Sequence, residues 1–156
     1  MLKILIVDDE PDICELIHKL IDWKELGLLS LGSCQNGIDA MEIILRQKPD
    51  VVITDIQMPG MTGLSLIEKA YKQNLLTKFI VISGYREFEY AQQAIRYGVE
   101  DYLLKPISKT DLNLVLKRLI LESGVTLEKE AHENNMRSEI QHMSSVKSFR
   151  HLSIPP

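Results

Sequence analysis

Three carboxylates of this chain directly follow short apolar segments. Asp8 and Asp9 come after Lys3–Val7, and Asp55 comes after the mostly β-branched segment Val51–Thr54. Such segments predict strands buried on both faces, and a carboxylate at the end of a buried strand is unfavourable unless its charge is used there. A lone aspartate at such a position more often begins a turn or caps a helix. The interpretation therefore depends on what else lies nearby.

Two more polar side chains follow later apolar segments. Ser83 comes after Phe79–Ile82, and Lys105 comes after Asp101–Leu104. Taken singly, Ser83 would be an ordinary turn hydroxyl and Lys105 an ordinary surface lysine. If the segments are parallel strands of one sheet, however, their carboxyl ends share one edge. All five polar residues then meet at that edge, and this convergence is the main argument for a functional site.

The intervening segments have helical periodicity. Helices are predicted after Pro11, after Asn36–Gly37, around Leu64–Tyr71, from about Glu87 to Tyr97 and from Leu112, with a further strand at Leu28–Cys34. Strands and helices thus alternate five times, which predicts an α/β fold with a parallel sheet covered on both faces. Right-handed crossovers favour the doubly wound strand order 2-1-3-4-5. In that order the crevice opens at strands one and three, where the three carboxylates lie.

Three carboxylates in one crevice repel one another. At about 4 Å and an effective dielectric constant near 20, each pair costs roughly 4 kcal/mol, so either one carboxyl is protonated or a divalent cation lies among them. An all-oxygen ligand set favours Mg²⁺, which Asp8 and Asp9 would carry. A metal there would let an anionic phosphoryl group approach Asp55, the centrally placed carboxylate and therefore the candidate nucleophile.

The same edge offers two groups suited to binding a phosphoryl group. Lys105 supplies a positive charge and Ser83 a hydroxyl donor. Lys105 precedes Pro106, and a cis peptide bond between them would aim the lysine inward. The five residues together predict phosphoryl chemistry on Asp55.

Composition limits the other classes of function. The chain has 156 residues, 45% of them hydrophobic and 26% charged, with a net charge of -4. This balance is ordinary for a globular protein and does not favour nucleic-acid binding, which needs a basic patch. No apolar run approaches the roughly 18 residues of a membrane span, and without a signal peptide we expect a cytoplasmic protein. Cys14 and Cys34 lack metal-ligand spacing and are expected to be reduced and packed.

At these residues the sequence resembles a bacterial two-component response-regulator receiver domain. The resemblance covers residues 1 to about 121 and implies a flavodoxin-like (βα)5 fold. The segments that carry it are Val7–Glu10, Asp55 with Met58–Gly60 and Gly63, Ile82–Gly84 and Tyr102–Pro106.

The resemblance implies how the site would hold its metal and acquire its phosphoryl group. Asp55 would accept a phosphoryl group from a partner sensor histidine kinase. Mg²⁺ would bind the side chains of Asp9 and Asp55 and the backbone carbonyl of Gln57, with Asp8 helping through water. The chain would then be a signalling phosphoacceptor that catalyses only its own phosphorylation and dephosphorylation, not an enzyme for external substrates.

The resemblance also implies a switch. Ser83 and Lys105 would bind the phosphoryl group, and Tyr102 would be the aromatic switch residue that turns inward with Ser83. Phosphorylation would bias the surface formed by the fourth predicted helix, the fifth strand and the fifth helix. That surface would bind a partner or a second copy, so a homodimer is one expectation.

Two further segments resemble the YesN-like subgroup, whose members usually continue into an AraC-type DNA-binding domain. These segments are Ile21–Trp23 and Ser83–Ala91. Residues 122–156 contain few large apolar residues, so a helical or disordered linker or tail is predicted after the receiver domain, residues 1–121. DNA binding by this chain itself is therefore not expected. Transcriptional control would require a further domain; otherwise the chain is a stand-alone receiver that regulates a protein partner.

Two alternatives fit the same fold less well. Haloacid-dehalogenase-like phosphatases, which also form an aspartyl phosphate, require a second acid two residues after the nucleophile. This chain has Gln57 at that position, and it has no cap insertion to enclose a substrate. A nucleotide- or flavin-binding module would carry a glycine-rich phosphate loop. Neither of the usual loop motifs is present.

Overall fold

The protein is a five-stranded parallel sheet with helices on both faces. The computed structural model describes residues 1–84 and 88–124, apart from the side chain of Phe88. Neighbouring strands are all parallel, in the order β2-β1-β3-β4-β5, which confirms the predicted doubly wound fold. In chain order the elements are β1 (Lys3–Val7), α1 (Pro11–Leu20), α2 (Trp23–Leu26), β2 (Leu29–Cys34), α3 (Gly37–Gln47), β3 (Val51–Thr54), α4 (Gly63–Lys72), β4 (Lys78–Ser83), α5 (Phe88–Arg96), β5 (Asp101–Leu104) and α6 (Lys109–Ser123).

The sheet separates two apolar clusters. Side chains alternate along a strand, so Val52 and Val81 lie on one face and Ile53 and Ile80 on the other. The first cluster packs against α3, α4 and α5, and the second packs against α1 and α6. All four residues of β3 are buried, as expected for an inner strand of a parallel sheet. The inner strands are therefore held rigidly at both faces, and so are the residues that follow them.

Three helices begin with side-chain caps at the edge where the strands end. Asn36, Thr62 and Ser108 each accept the backbone N–H of the residue three positions later, at 2.8–3.1 Å. Such caps satisfy N–H groups that have no partner within the helix. The caps at Thr62 and Ser108 hold the ends of the loops that follow Asp55 and Lys105.

Within residues 1–84 and 88–124, one helix was not predicted from the sequence pattern. α2 has only four residues, too few for an apolar periodicity to show. It begins at Trp23, whose indole N–H donates to the carbonyl oxygen of His18 at 2.7 Å, and it ends at Gly27 in the left-handed conformation, φ 64°. The helices predicted as fourth and fifth are therefore α5 and α6.

The predicted linker or tail, residues 122–156, lies mostly outside the described residues. α6 continues to Ser123, and Gly124 follows it with φ 66°. The proposed division of the chain at residue 121 stays a prediction. In the described ranges, no helix is both long enough and apolar enough to cross a membrane.

Cys14 and Cys34 are both buried free thiols, in agreement with the predicted packing. Cys14 belongs to the cluster under α1 and α6, whereas Cys34 belongs to the cluster under α3, α4 and α5. The sheet thus lies between the two sulfur atoms. Burial raises the pKa of both thiols, that of Cys34 to about 11, so both remain protonated and unreactive at neutral pH.

Candidate functional site

Three carboxylates meet at the carboxyl edge of the sheet. Asp8, Asp9 and Asp55 each place a carboxylate oxygen within 4.8 Å of the others. β1 and β3 pair in the register that sets Val7 beside Thr54, so the residues that follow these two strands become neighbours. Asp8 and Asp55 are 1% and 8% exposed, and Asp9 is exposed. The structure therefore brings together the three acids that the strand order predicted at one edge.

The backbone fixes the two buried carboxylates. One oxygen of Asp8, Oδ1, accepts the N–H of Glu10 at 2.9 Å. Oδ1 of Asp55 accepts the N–H of Ile56 at 2.7 Å. The backbone N–H of Asp55 in turn donates to the carbonyl oxygen of Val7 at 3.1 Å, which extends the β1–β3 ladder by one residue. Each carboxylate is thus held at Oδ1, and its other oxygen, Oδ2, lies 3.1 Å (Asp55) or 3.7 Å (Asp8) from Nζ of Lys105.

Lys105 places a positive charge in the site. Its Nζ donates to Oδ2 of Asp55 at 3.1 Å and lies 3.7 Å from Oδ2 of Asp8. The peptide bond between Lys105 and Pro106 is cis, as the sequence suggested. The backbone N–H of Lys105 donates to the carbonyl oxygen of Ser83 at 2.9 Å. The lysine is therefore anchored to the end of β4 and reaches across to the residues that follow β1 and β3.

The pKa values of Asp8 and Lys105 show the local balance of charge. Burial raises the pKa of Asp8 to about 6; the Glu10 N–H opposes this increase, the Asp55 charge adds to it, and Lys105 opposes it. Burial lowers the pKa of the Lys105 ammonium, but the Asp55 and Asp8 carboxylates raise it more, and the net shift is upward. Within the described residues, the three clustered carboxylates therefore outnumber the one lysine beside them.

This donor set fits a hard divalent cation. It consists of carboxylate oxygens with no sulfur or imidazole, and such sets suit Mg²⁺. Because Asp9 is exposed, the cluster is open to solvent on one side, which leaves room for the waters that Mg²⁺ usually keeps. Burial is the main cause of the raised pKa of Asp8, and the Asp55 charge adds to it; a cation bound here would favour the ionised carboxylate.

The three remaining predicted site residues differ in their surroundings. Ser83 is completely buried, and its hydroxyl has no hydrogen-bond partner within residues 1–84 and 88–124. Such groups are rare in native proteins and call for an explanation. The ring of Tyr102 is already buried, in the cluster under α3, α4 and α5. Gln57 is exposed in the loop that follows Asp55.

Sequence reasoning missed the roles of two residues around Asp55. The hydroxyl of Thr54 donates to the backbone carbonyl oxygen of Asp55 at 2.9 Å. Gly63 lies so close to the same carbonyl that a Cβ atom there would overlap it. The available signals were a hydroxyl-bearing residue at the end of an otherwise apolar buried strand and a glycine as the first residue of a helix, where it is not favoured.

Comparison with known proteins decides the family. Residues 4–117 match the family model for the response regulator receiver domain. The chain belongs to this family. The resemblance predicted from the sequence is confirmed, and the chain contains a response regulator receiver domain.

The receiver domain is similar to transcriptional regulators. The chain is 41% identical over 155 residues to the uncharacterized transcriptional regulatory protein YesN of Bacillus subtilis (strain 168), covering 97% of the chain and 41% of that protein. The chain therefore spans less than half the length of this relative.

Solved structures of receiver domains have the same fold. The REC domain of AraT, a response regulator from Geobacillus stearothermophilus, is 41% identical with a TM-score of 0.72, over 83% of this chain and 98% of that chain. A two-component transcriptional regulator AraC from Clostridium phytofermentans ISDg is 32% identical with a TM-score of 0.71, over 81% of this chain and 100% of that chain. The second of these, which is named AraC, agrees with the AraC-type subgroup that the sequence resembles.

Proposed function

We propose that this receiver domain accepts a phosphoryl group on Asp55 from a sensor histidine kinase and thereby controls an output. The observation that carries the proposal is the position of the buried Asp55 carboxylate, 3.1 Å from the Lys105 ammonium and inside a cluster of acids. A carboxylate in this setting can act as a nucleophile. The lysine charge lies where a phosphoryl oxygen would arrive.

The transfer forms one bond and breaks one. An oxygen of the Asp55 carboxylate attacks phosphorus, and the bond between phosphorus and a nitrogen of the donor histidine breaks. That nitrogen keeps the electron pair and takes up a proton. Lys105 then pairs with a phosphoryl oxygen, and the buried Ser83 hydroxyl, which lacks a partner within the described residues, donates to another. The role of the chain is positioning and charge stabilisation.

The acids of the site would hold Mg²⁺. We assign the metal to the side chains of Asp9 and Asp55 and to the backbone carbonyl of Gln57, with Asp8 acting through water. When bound, the ion supplies positive charge that reduces the repulsion between the carboxylate and the incoming phosphoryl group. The chain would catalyse only the gain and loss of its own phosphoryl group.

A small phosphodonor tests this proposal without a kinase. We expect the full chain to gain one phosphoryl group from acetyl phosphate in the presence of Mg²⁺ and none in EDTA, because the uncompensated acids repel the donor. Intact-mass spectrometry measures the increment. Labelling that is equal with and without Mg²⁺ would contradict the assigned metal role. A folded chain that is never labelled would contradict the proposed function.

We further propose that phosphorylation acts on the surface formed by α5, β5 and α6, which we call the switch surface. Ser83 ends β4 beside Leu104 of β5 in the sheet register, so a movement of Ser83 is passed to β5. The switch surface carries exposed apolar side chains on all three elements, at Tyr90, Leu104 and Leu114. Such side chains suit a protein partner or a second copy.

Dimerisation through the switch surface has a direct test. We expect the sedimentation mass to increase from monomer to dimer when beryllofluoride and Mg²⁺ are added, because the mimic places phosphoryl-like atoms beside Lys105 and Ser83. Leu114→Glu, on the switch surface, should prevent the increase, while Leu45→Glu on the exposed side of α3 should not. A monomer mass that beryllofluoride leaves unchanged would argue against this dimer.

The output is proposed to be transcription. The name of YesN describes a transcriptional regulator, and this chain covers less than half of that protein, so a DNA-binding domain beyond these residues would carry the output. The alternative is a stand-alone receiver that acts on a protein partner. We do not assign DNA binding to residues 1–156 themselves, and a cytoplasmic location remains the expectation from the sequence.

A further inference from the structure

One peptide unit beside Asp55 is held from both of its ends. This unit consists of the carbonyl group of Asp55 and the N–H group of Ile56. Its oxygen accepts the Thr54 hydroxyl at 2.9 Å, and its N–H donates to Oδ1 of the Asp55 side chain at 2.7 Å. The carbonyl and N–H of a trans peptide point in opposite directions within one plane. Fixing the oxygen therefore also fixes the N–H that holds the carboxylate.

The Thr54 hydroxyl is an unusual group for its place in the sheet. Thr54 is 1% exposed, and it pairs with Val7 on one side and Val81 on the other. By alternation along β3 its side chain shares a face with Val52, in the apolar cluster under α3, α4 and α5. A buried hydroxyl is unfavourable without a hydrogen bond. A valine would fill the same volume, so packing alone does not account for the hydroxyl.

Gly63 restricts the same carbonyl group from another side. A Cβ atom at Gly63 would overlap the Asp55 carbonyl oxygen and would lie 2.9 Å from the Asp55 carbonyl carbon. The N–H of Gly63 also donates to the carbonyl oxygen of Ile56 at 2.9 Å. The peptide unit thus lies between the Thr54 hydroxyl and the first residue of α4, with little freedom to rotate.

We propose that Thr54 is a positioning residue for phosphorylation of Asp55. This inference rests on the proposed function and adds a residue to it. The Thr54 hydroxyl orients the peptide unit, the Ile56 N–H then holds Oδ1 of Asp55, and Oδ2 is left facing Lys105. Without the hydroxyl, the peptide unit rotates more freely, and the carboxylate spends less time in the orientation that Lys105 and the neighbouring acids require.

Two substitutions at Thr54 and one distant control separate positioning from stability. Thr54→Val keeps the shape and removes the hydroxyl, whereas Thr54→Ser keeps the hydroxyl. Thr77→Val is the matched control, because the Thr77 hydroxyl donates to the carbonyl oxygen of Pro49 at 2.8 Å, just before β4 and at the opposite edge of the sheet. Each full-length variant is incubated with Mg²⁺ and a series of acetyl phosphate concentrations, and its melting temperature is measured.

We expect Thr54→Val to lower the maximal phosphorylation rate by about tenfold, the factor that corresponds to one hydrogen bond of ordinary net strength. The acetyl phosphate concentration for half-maximal rate should not change, because the hydroxyl does not touch the donor. Thr54→Ser should recover most of the rate. Thr77→Val should keep the wild-type rate, whatever its melting temperature.

Any one of three results would overturn the proposed role of Thr54 while leaving the proposed function intact. These are a wild-type rate in Thr54→Val, a Thr54→Ser variant as slow as Thr54→Val, and an equal loss of rate in Thr77→Val. A folded wild-type chain that takes no phosphoryl group would instead overturn the proposed function, so the two failures are distinguishable.

Discussion

Replacing Asp55 with alanine is expected to abolish labelling by acetyl phosphate while the fold persists. Asp55 supplies the proposed nucleophilic oxygen, and the acids that remain, Asp8 and Asp9, lie after a different strand. The substitution also removes one of several like charges that lie within 4.8 Å of one another, so their repulsion decreases. The melting temperature should therefore stay within a few degrees of that of the wild type. Intact mass and thermal unfolding measure the two effects.

Asp50→Ala is the matched control for this substitution. Asp50 comes directly before β3, whereas Asp55 comes directly after it. Oδ2 of Asp50 accepts the backbone N–H of Lys3 at 2.7 Å. Loss of this contact should lower stability by about 1 kcal/mol and leave labelling intact, because Asp50 lies at the opposite edge of the sheet. Equal labelling of Asp55→Ala and the wild type would show that another residue is the phosphoacceptor.

The largest effect on stability is expected from Gly63→Ala. The added Cβ would overlap the carbonyl oxygen of Asp55 and come within 3.1 Å of the Cα atom of Ile56. Both obstacles are backbone atoms, which cannot turn aside as a flexible side chain can. Overpacking of this kind typically costs 1–3 kcal/mol, and we expect a loss of about 3 kcal/mol or more in the free energy of unfolding. Urea denaturation monitored by circular dichroism measures it.

Gly84→Ala provides the comparison for Gly63→Ala. Apart from Gly84 itself and its two chain neighbours, no heavy atom of the described residues lies within 4 Å of a Cβ atom built at Gly84, and the φ of Gly84 is not positive. The stability of this variant should remain within about 0.5 kcal/mol of the wild type. If the two alanine variants were equally stable, α4 would have moved away from Asp55, and the close approach of Gly63 would not be needed for the fold.

The sequence predicted those parts of the fold that depend on a repeating pattern. β3 was predicted at Val51–Thr54 because β-branched residues follow one another there, and α6 was predicted from the apolar residues that begin at Leu112. α2 was not predicted, since four residues contain barely one helical turn. The burial of Arg118 in α6 was not predicted either. Its guanidinium donates to the backbone carbonyl oxygen of Glu100 at 2.9 Å, and no periodicity indicates a contact of this kind.

The candidate site was predictable as a set of residues but not as a geometry. Parallel strands end at one edge of a sheet, so the strand order alone places Asp8, Asp55 and Lys105 together. Which carboxylate oxygen faces the lysine depends on side-chain rotamers and on the peptide unit after Asp55. That orientation depends on a hydrogen bond from Thr54 to the next residue in the chain. Thr54 and Asp55 are adjacent in the sequence, so their hydrogen bond leaves no periodic spacing of residue types from which it could be predicted.

The position of the phosphoryl group is the most direct test of the central claim, that Asp55 is the phosphoacceptor. The full chain is labelled with acetyl phosphate and Mg²⁺, reduced with borohydride, which converts an aspartyl phosphate to homoserine, and digested for peptide mass spectrometry. We expect homoserine at position 55 and unmodified aspartate at positions 8 and 9. Homoserine at position 8 or 9, with Asp55 unchanged, would contradict the claim and would assign the nucleophile to β1 instead of β3.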